Sequence, residues 1–249
     1  MNERPSVLRE TDENALLEAR TLMRGARFGT LAVLDPETGF PNASRVLLAT
    51  TPYGTPAILV SSLSTHTRAL DADPRCSLLT GEPGKGDPLA HPRLSLQARA
   101  VPVERESEMH GWLRSRFLRR HPKAALYIDF GDFRFLTLEP VLANLNGGFG
   151  KAYRIDGQDL VIRHPDIVRL ARQETEILEE ISRSETDLAN SVAKTAFQKG
   201  TLDWKISAID TAGIDISGKD VLKRLEIAFE DVSMARIVSD IRKVGCTIP

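Results

Sequence analysis

The sequence from residue 41 to residue 83 reads PNASRVLLATTPYGTPAILVSSLSTHTRALDADPRCSLLTGEP, and it decides the fold of the first part of the chain. It contains two β-rich runs separated by a turn, SRVLLATT (44–51) and PAILVSS (56–62). A short helical segment, THTRALDAD (65–73), comes next, and another β-rich run, CSLLTGE (76–82), follows it. Because aliphatic and β-branched runs bounded by turn residues are typical of strands, the block predicts the order strand, strand, helix, strand.

The alternation of β-rich runs and turns continues on both sides of this block. FGTLAVLD (28–35) lies before it, and RLSLQARAVPVE (93–104) and DFRFLTLEPVLANL (132–145) lie after it. Six short strands at this spacing predict a closed or nearly closed barrel. Apolar residues at helical spacing also predict one amphipathic helix before the barrel, over 12–24, and another within it, over 107–122.

The residues after 157 predict a second unit. Helical periodicity begins after Pro165, and an S-x-x-D capping pattern from Ser184 to Asp187 predicts that a second helix starts there. A small β-meander and a final helix follow, in LDWKISAID, GIDISG, KRLEIAF and DVSMARIVSDIRKVG. We therefore predict two domains, a barrel over residues 1–157 and a small α+β domain over residues 158–249.

The bulk composition narrows the functional classes. The chain has 249 residues, of which 41% are hydrophobic and 27% charged, with a formal net charge of -1. This balance is typical of a globular protein and gives no overall basic footprint for nucleic acid. No apolar run reaches the roughly 20 residues of a bilayer crossing, and no secretory signal is apparent. We therefore expect a cytoplasmic protein with neither membrane nor nucleic acid as a partner.

The block from 41 to 83 resembles the core of the FMN-binding split barrels, the pyridoxamine 5'-phosphate oxidase-like superfamily. An Arg on a strand, a strand ending in polar residues, a short helix and then Pro-Arg-x-Ser-Leu-Leu occur in that order. With NGGFGKA (146–152) and the α+β tail, nearly the whole chain resembles the HugZ-type haem-utilisation subgroup. The predicted fold class is α+β, a split β-barrel of the FMN-binding type followed by a small α+β domain. The resemblance implies a homodimer with a flavin or tetrapyrrole ligand in a cleft at the subunit interface.

The candidate phosphate site of a flavin lies where this block passes from a strand end into a helix start. A phosphate dianion needs cations together with hydroxyl and backbone N–H donors, and a helix start already supplies the latter. The predicted cofactor-binding residues are Arg45, Val46, Ser61, Ser62, Thr65, His66 and Arg68. The structural alternative is that Ser64 or Thr65 caps the helix and that Arg68 pairs with Asp71 or Asp73 on the surface.

Two departures from the related families bear on the ligand. Thr65 and His66 stand where pyridoxamine-phosphate oxidases carry a basic pair, so one cation is lost unless His66 is protonated. Haem-degrading relatives use a histidine near the C-terminus as the iron ligand, whereas this chain has no histidine after His164. His91 is left as an alternative haem ligand. The histidines and the two cysteines show no metal-binding spacing, so we predict no metal site.

Two further segments are candidates for binding. NGGFG has the composition of a turn, and in the related family this segment approaches the ligand cleft, so Gly147, Gly148 and Phe149 are candidate pocket residues. The basic stretch RSRFLRRHPK (114–123) fits an anionic partner, but a solvated helix face with Phe117 and Leu118 packed inward is favoured.

Three functions fit the resemblance. The first is a flavin-dependent oxidoreductase, in which FMN carries out the redox chemistry. The second is a haem-binding or haem-degrading protein, and the third is a non-enzymatic regulator of tetrapyrrole metabolism. No Ser-His-Asp, Cys-His or paired-carboxylate arrangement offers another catalytic centre. If the chain is an enzyme, it is therefore expected to be an FMN-dependent oxidoreductase or haem-oxygenase-like, with catalytic residues that the sequence does not identify.

Overall fold

The structure, a computed structural model, describes residues 8–148, 150–199 and 203–246, apart from the side chain of Cys246. The strands of the first unit are β1 (Leu8–Arg9), β2 (Phe28–Leu34), β3 (Pro41–Thr50), β4 (Pro56–Ser61), β5 (Arg75–Thr80), β6 (Arg93–Pro102), β7 (Phe133–Asn146) and β8 (Ala152–Asp156). Its helices are α1 (Glu13–Arg24), α2 (Thr65–Ala72) and α3 (Glu108–Arg120). The second unit contains α4 (Ile167–Ser184), α5 (Leu188–Phe197), β9 (Lys205–Asp210), β10 (Gly213–Gly218), β11 (Val221–Glu226) and α6 (Met234–Cys246).

Strands β2 to β7 form a closed barrel. The strand order is β1-β8-β7-β4-β3-β2-β5-β6, and β6 also pairs with β7, which closes the sheet on itself. The antiparallel β6–β7 ladder is the long one, running from Arg93↔Asn146 to Pro102↔Leu136. Side chains that point inward, among them Leu31, Val46, Ile58, Leu78, Leu96 and Leu138, are almost fully excluded from water and form the barrel core.

The barrel is split beside α2. Strands β3 and β4 pair only from Leu48↔Ile58 to Thr50↔Pro56, next to the turn that joins them. Gly54 in that turn has a φ of +76°, and a Cβ there would lie 2.7 Å from Arg24 Nε, so the turn needs glycine. Beyond Ile58, β4 no longer pairs with β3, and α2 begins a few residues after β4 ends. The predicted split β-barrel is confirmed.

The outward face of β3, β2, β5 and β6, which we call the outer wall, is open to solvent. Burial alternates along β2, whose outward positions are half-buried or exposed while the intervening residues are buried. The register aligns outward residues of successive strands, so that Arg45 lies opposite Thr30, Thr30 opposite Leu79 and Leu79 opposite Ser95. Large apolar side chains on this wall are exposed, namely Leu34 (40%), Leu47 (38%) and Leu79 (44%).

The second unit is the predicted small α+β structure. Its antiparallel sheet has the order β11-β10-β9 and packs with α4, α5 and α6 around a separate core. The helix break predicted near residue 184 is confirmed, but α5 begins after Asp187, which makes no side-chain capping hydrogen bond, so the predicted Ser184 cap is wrong. Strand β8 of the first unit was not predicted from the sequence. The division of the chain between residues 157 and 158 stays a prediction, and it falls within the turn Gly157–Leu160.

A layer of buried charge, which we call the seam, joins the two units. Its arginines on the first unit are Arg24, Arg116, Arg119 and Arg120; Glu174, Asp210, Asp215, Arg224 and Glu226 belong to the second. Arg116 Nε lies 2.9 Å from Glu174 Oε2, and Arg120 Nη2 lies 2.5 Å from Asp215 Oδ2. The expected solvated face of the basic stretch 114–123 is therefore wrong for these two arginines, which are buried because they bind the second unit.

Candidate ligand-binding site

Arg45 is placed on the outer wall. Its side chain is exposed, and the guanidinium carbon lies 5.3 Å from the centre of the Phe28 ring, which also points outward. This cation–π contact holds the charge against the wall without neutralising it. Val46, the next residue, points the other way into the barrel core with 6% of its surface exposed. Its side chain is therefore structural, and only its backbone can approach a ligand.

The serines at the end of β4 form hydrogen bonds with Asp132, in the turn just before β7. Ser61 Oγ donates a hydrogen bond to Asp132 Oδ2 at 2.7 Å and accepts one from the Leu63 backbone at 3.2 Å. The Ser62 backbone N–H donates to the Asp132 carbonyl at 2.8 Å, while the Ser62 side chain is exposed. Asp132 thus places a carboxylate beside the predicted phosphate donors, where it opposes an anion.

His66 lies half-buried at the start of α2. Its Nδ1 is 3.2 Å from Ser44 Oγ, on the inward side of β3. Burial lowers the pKa of the imidazole below its ordinary value, so the ring is neutral at neutral pH. The cation that a phosphate site would need at this position is therefore missing.

The remaining α2 residues offer donors to solvent. Thr65 and Arg68 are exposed, and the helix begins after Ser64, whose side chain makes no capping hydrogen bond. Arg68 lies close enough to Asp35 to help lower the pKa of that carboxyl, after the larger effect of hydrogen bonds from Thr38. Its expected partners are taken by other arginines, since Asp71 pairs with Arg134 and Asp73 with Arg75.

Three residues that help to build this site were not predicted from the sequence. Ser44 orients His66, Asp132 holds Ser61, and Thr67 is fully buried with its hydroxyl donating to the Ser61 carbonyl at 2.7 Å. Asp132 is 71 residues from Ser61 along the chain, so no local pattern reveals the contact. Alternation along β3 could have placed Ser44 inward, because its neighbours Ala43 and Arg45 point out.

The glycine turn follows the end of β7. The cross-strand register continues from Ser95 to Asn144 on β7, three residues before Gly147. Gly148 has a φ of +102°, and a Cβ there would lie 2.9 Å from the Ala90 carbonyl. The place of Gly147 and Gly148 in a ligand pocket stays a prediction. The third candidate, Phe149, lies outside the described residues.

The histidines and acidic residues of the described ranges form no metal centre. No group of three or more His, Cys, Asp or Glu side chains in this part of the chain could hold an ion. His121 is buried, and its Nε2 donates to the Leu48 carbonyl at 2.8 Å. His91 Nε2 lies 3.0 Å from the Lys85 carbonyl, and its role as a ligand stays a prediction. No helix within the described ranges is long and apolar enough to span a membrane.

A closed barrel split beside a short helix, with polar donors at the split and an α+β unit behind it, defines a split-barrel protein. The sequence profile described as "CREG, beta-barrel" matches residues 10–161. The chain belongs to this CREG β-barrel family.

Curated relatives share the barrel. The chain is 36% identical to the chloroplastic haem oxygenase HOZ of Arabidopsis thaliana over 143 residues, which are 57% of this chain and 43% of HOZ. It therefore spans less than half the length of that relative. It is 30% identical to the haem oxygenase HutZ of Vibrio cholerae over 134 residues, 53% of this chain and 75% of HutZ. The predicted membership of the haem-utilisation subgroup is confirmed.

A solved structure shares both units. Atu2129 of Agrobacterium tumefaciens, a protein of unknown function, superposes with a TM-score of 0.81 at 26% identity. The match covers 94% of this chain and 96% of that one. The barrel and the α+β unit therefore occur together in another protein of this fold.

Proposed function

We propose that this protein binds haem on the outer wall of its barrel and acts in haem utilisation as a haem-oxygenase-type protein. The observation that carries the proposal is the open wall itself, on which exposed leucines lie beside unneutralised arginines. Exposed apolar surface that lies beside polar and charged side chains is typical of a binding surface. The relationship of the barrel to two proteins named as haem oxygenases supports the same choice.

The wall matches the chemistry of a tetrapyrrole. Haem is a flat apolar disc with two carboxylates, so it needs an apolar surface and cations at the rim. Leu47 and Leu79 provide apolar area, each square ångström of which contributes about 25 cal/mol when covered. Arg45 lies two residues before Leu47 on β3 and is separated from Leu79 by Thr30 on β2. Bound haem would supply the iron at which the ring is oxidised, while these residues bind and orient the disc and exclude water from one face.

FMN is the second candidate, and one observation favours it. Arg45, Thr65 and Arg68 are exposed around the split, where the first backbone N–H groups of α2 add a partial positive charge. The neutral His66 and the Asp132 carboxylate weaken this site for a phosphate dianion. We therefore expect FMN to bind more weakly than haem.

We further propose that the protein is a homodimer whose subunits meet along the outer wall. A second copy would cover the exposed Leu47 and Leu79 and turn the wall into a cleft that holds the ligand. The resemblance to split barrels with interfacial ligands supports this arrangement. Sedimentation equilibrium tests it, with a twofold monomer mass expected and a monomer at all concentrations contradicting it.

Absorbance titration with haemin and with FMN tests the proposed function. The wild-type protein should give a saturable Soret band with haemin, and Arg45→Gln should weaken FMN binding, because that charge is the strong donor at the split. Arg154→Gln is the matched control, since Arg154 is also exposed on a strand but lies on β8. A saturable FMN site without a Soret band would favour the flavin reading. A response to neither ligand would favour a non-enzymatic regulator.

A further inference from the structure

A cavity of about 360 Å³ opens at one end of the outer wall. It lies where β2 ends and β3 begins, beside the middle of β5 and β6. Its apolar lining comes from Ala32, Val33, Leu34, Pro41, Ala98 and Val141, and its polar lining from Arg75, Cys76, Ser77, Gln97 and Arg99. Arginines supply all the formal charge of this lining. The cavity therefore suits the anionic edge of an apolar molecule.

The two arginines face each other across neighbouring strands. Arg75 on β5 and Arg99 on β6 are directly paired in the antiparallel register, an arrangement in which like charges repel. Asp73 offsets the charge of Arg75, because Arg75 donates to its carboxylate through Nε at 3.0 Å and Nη2 at 2.5 Å. That bond lowers the pKa of Asp73 to about 2, and Arg99 contributes a smaller part.

Arg99, in contrast, forms no ion pair within the described residues. Glu139 on β7 is its other cross-strand neighbour, but the two side chains form no ion pair and Glu139 lines a different cavity. Within the ranges that the structure describes, the Arg99 guanidinium has neither a hydrogen-bond acceptor nor an ion-pair partner. An exposed arginine beside an apolar cavity keeps all five N–H donors for a ligand carboxylate, which it can bind with two parallel hydrogen bonds.

We propose that Arg99, with Arg75 beside it, binds a propionate carboxylate of the tetrapyrrole and so fixes which edge of the ring enters this cavity. The inference rests on the proposed haem function and adds an orientation to it. A volume of this size holds the carboxylate edge and not the whole ring. The rest of the disc then extends along the wall toward Thr30 and Leu79, two residues along β2 and β5 from the Ala32–Ser77 pair that lines the cavity.

The thiol in the cavity does not compete for this role. Cys76 is 8% exposed, and burial raises the pKa of its thiol to about 11, so it is uncharged at neutral pH. An uncharged, buried thiol is a poor metal ligand, since the thiolate is the binding form. The cavity therefore binds the rim of the ring and not the iron.

Haemin titration of Arg99→Gln tests the proposal. We expect the Kd for haemin to rise about tenfold, the loss of one charge-assisted contact. Arg154→Gln, the exposed strand arginine on β8, should bind haemin like the wild type. Haemin dimethyl ester, whose propionates carry no charge, should bind wild type and Arg99→Gln equally. Because Arg99 is exposed, thermal melts of the variant should match the wild type.

The outcomes separate this inference from the proposed function. If the wild type binds haemin and Arg99→Gln binds it equally well, the orientation is wrong while haem binding stands. If Arg99→Gln loses affinity for the dimethyl ester as much as for haemin, the arginine does not bind a carboxylate and the inference is also wrong. If the wild type binds no haemin, the proposed function fails and the inference fails with it.

Discussion

Arginines of the seam and arginines of the outer wall have opposite surroundings. In the seam, Arg120 is 3% exposed and its guanidinium bonds both the Asp215 carboxylate and the Arg24 carbonyl. On the wall, Arg45 and Arg99 are exposed and no carboxylate neutralises them within the described residues. Buried charge must be paired to be tolerated, whereas exposed charge beside apolar surface stays available to a ligand. The seam therefore stabilises the fold, and the wall is the surface on which we propose that the ligand binds.

The largest expected effect is the loss of stability caused by removing a buried carboxylate from the seam. Asp215→Ala leaves Arg120 and Arg224 buried without this carboxylate, so the free energy of unfolding should fall by about 3 to 5 kcal/mol. Urea denaturation measures it. Asp129→Asn is the control, because Asp129 pairs with Arg114 in an exposed ion pair and its loss should change the stability little. Equal losses for the two variants would mean that burial of the seam charges does not matter.

The next largest expected effect is a pH dependence of the unfolding free energy caused by His121, which packs beside the seam. Burial lowers the pKa of His121 to about 4, although its hydrogen bond to Leu48 acts in the opposite direction. The unfolded chain takes up a proton near pH 6.5 and the folded one only near pH 4, so stability falls as pH drops through this window. The full loss is about 3 kcal/mol, of which about 2 kcal/mol is reached by pH 5.

His121→Gln should reduce this pH dependence, because glutamine does not titrate and its amide can still donate to Leu48. Unfolding free energies at pH 7 and pH 5 provide the comparison. The wild type should lose about 2 kcal/mol more than the variant between these values. Parallel losses in both proteins would show that His121 titrates normally in the folded state.

A smaller effect is expected at the split. Asp132→Asn removes the carboxylate beside Ser61 while an amide oxygen can still accept the serine hydrogen bond. With less repulsion of an anion, the Kd for FMN should fall by a few-fold. Fluorescence quenching of the flavin measures it. An unchanged Kd would place the FMN phosphate away from Ser61.

The smallest effect is on the stability of the wall. Leu79→Glu changes an outward side chain that is 44% exposed in the single subunit, so the melting temperature of the monomer should move little, within about 0.5 kcal/mol of stability. Leu78→Glu, one residue earlier, places a charge in the barrel core and should prevent folding. Severe destabilisation by Leu79→Glu would mean that the wall is part of the core.

Structural features that depend on neighbouring residues in the chain could be predicted from the sequence. Alternation and turn residues predicted β2 to β7 to within three residues at each end, because side-chain direction along a strand is fixed by its own backbone. The buried ion pairs of the seam could not be predicted, because helical spacing does not show whether a polar helix face contacts water or another unit. Arg116 and Arg120 find their partners 58 and 95 residues later.

The candidate site was predictable only in part. The order of the segments in the block from 41 to 83 predicted the order β3, β4, α2, β5, which the structure confirms, while the binding roles of Arg45 and the α2 residues stay predictions. The sequence did not reveal Arg99 as a candidate binding residue. Its proposed role depends on its cross-strand neighbour Arg75 and on the apolar cavity beside both residues. Such combinations arise only when the barrel closes.

The most direct test of the central claim is a haemin titration of two matched leucine variants. Leu79→Glu alters the outer wall, and Leu126→Glu alters an exposed leucine in the turn after α3, away from the wall. Haem binding on the wall predicts that Leu79→Glu raises the Kd for haemin at least tenfold while Leu126→Glu binds like the wild type. Undiminished haemin binding by Leu79→Glu would contradict the account.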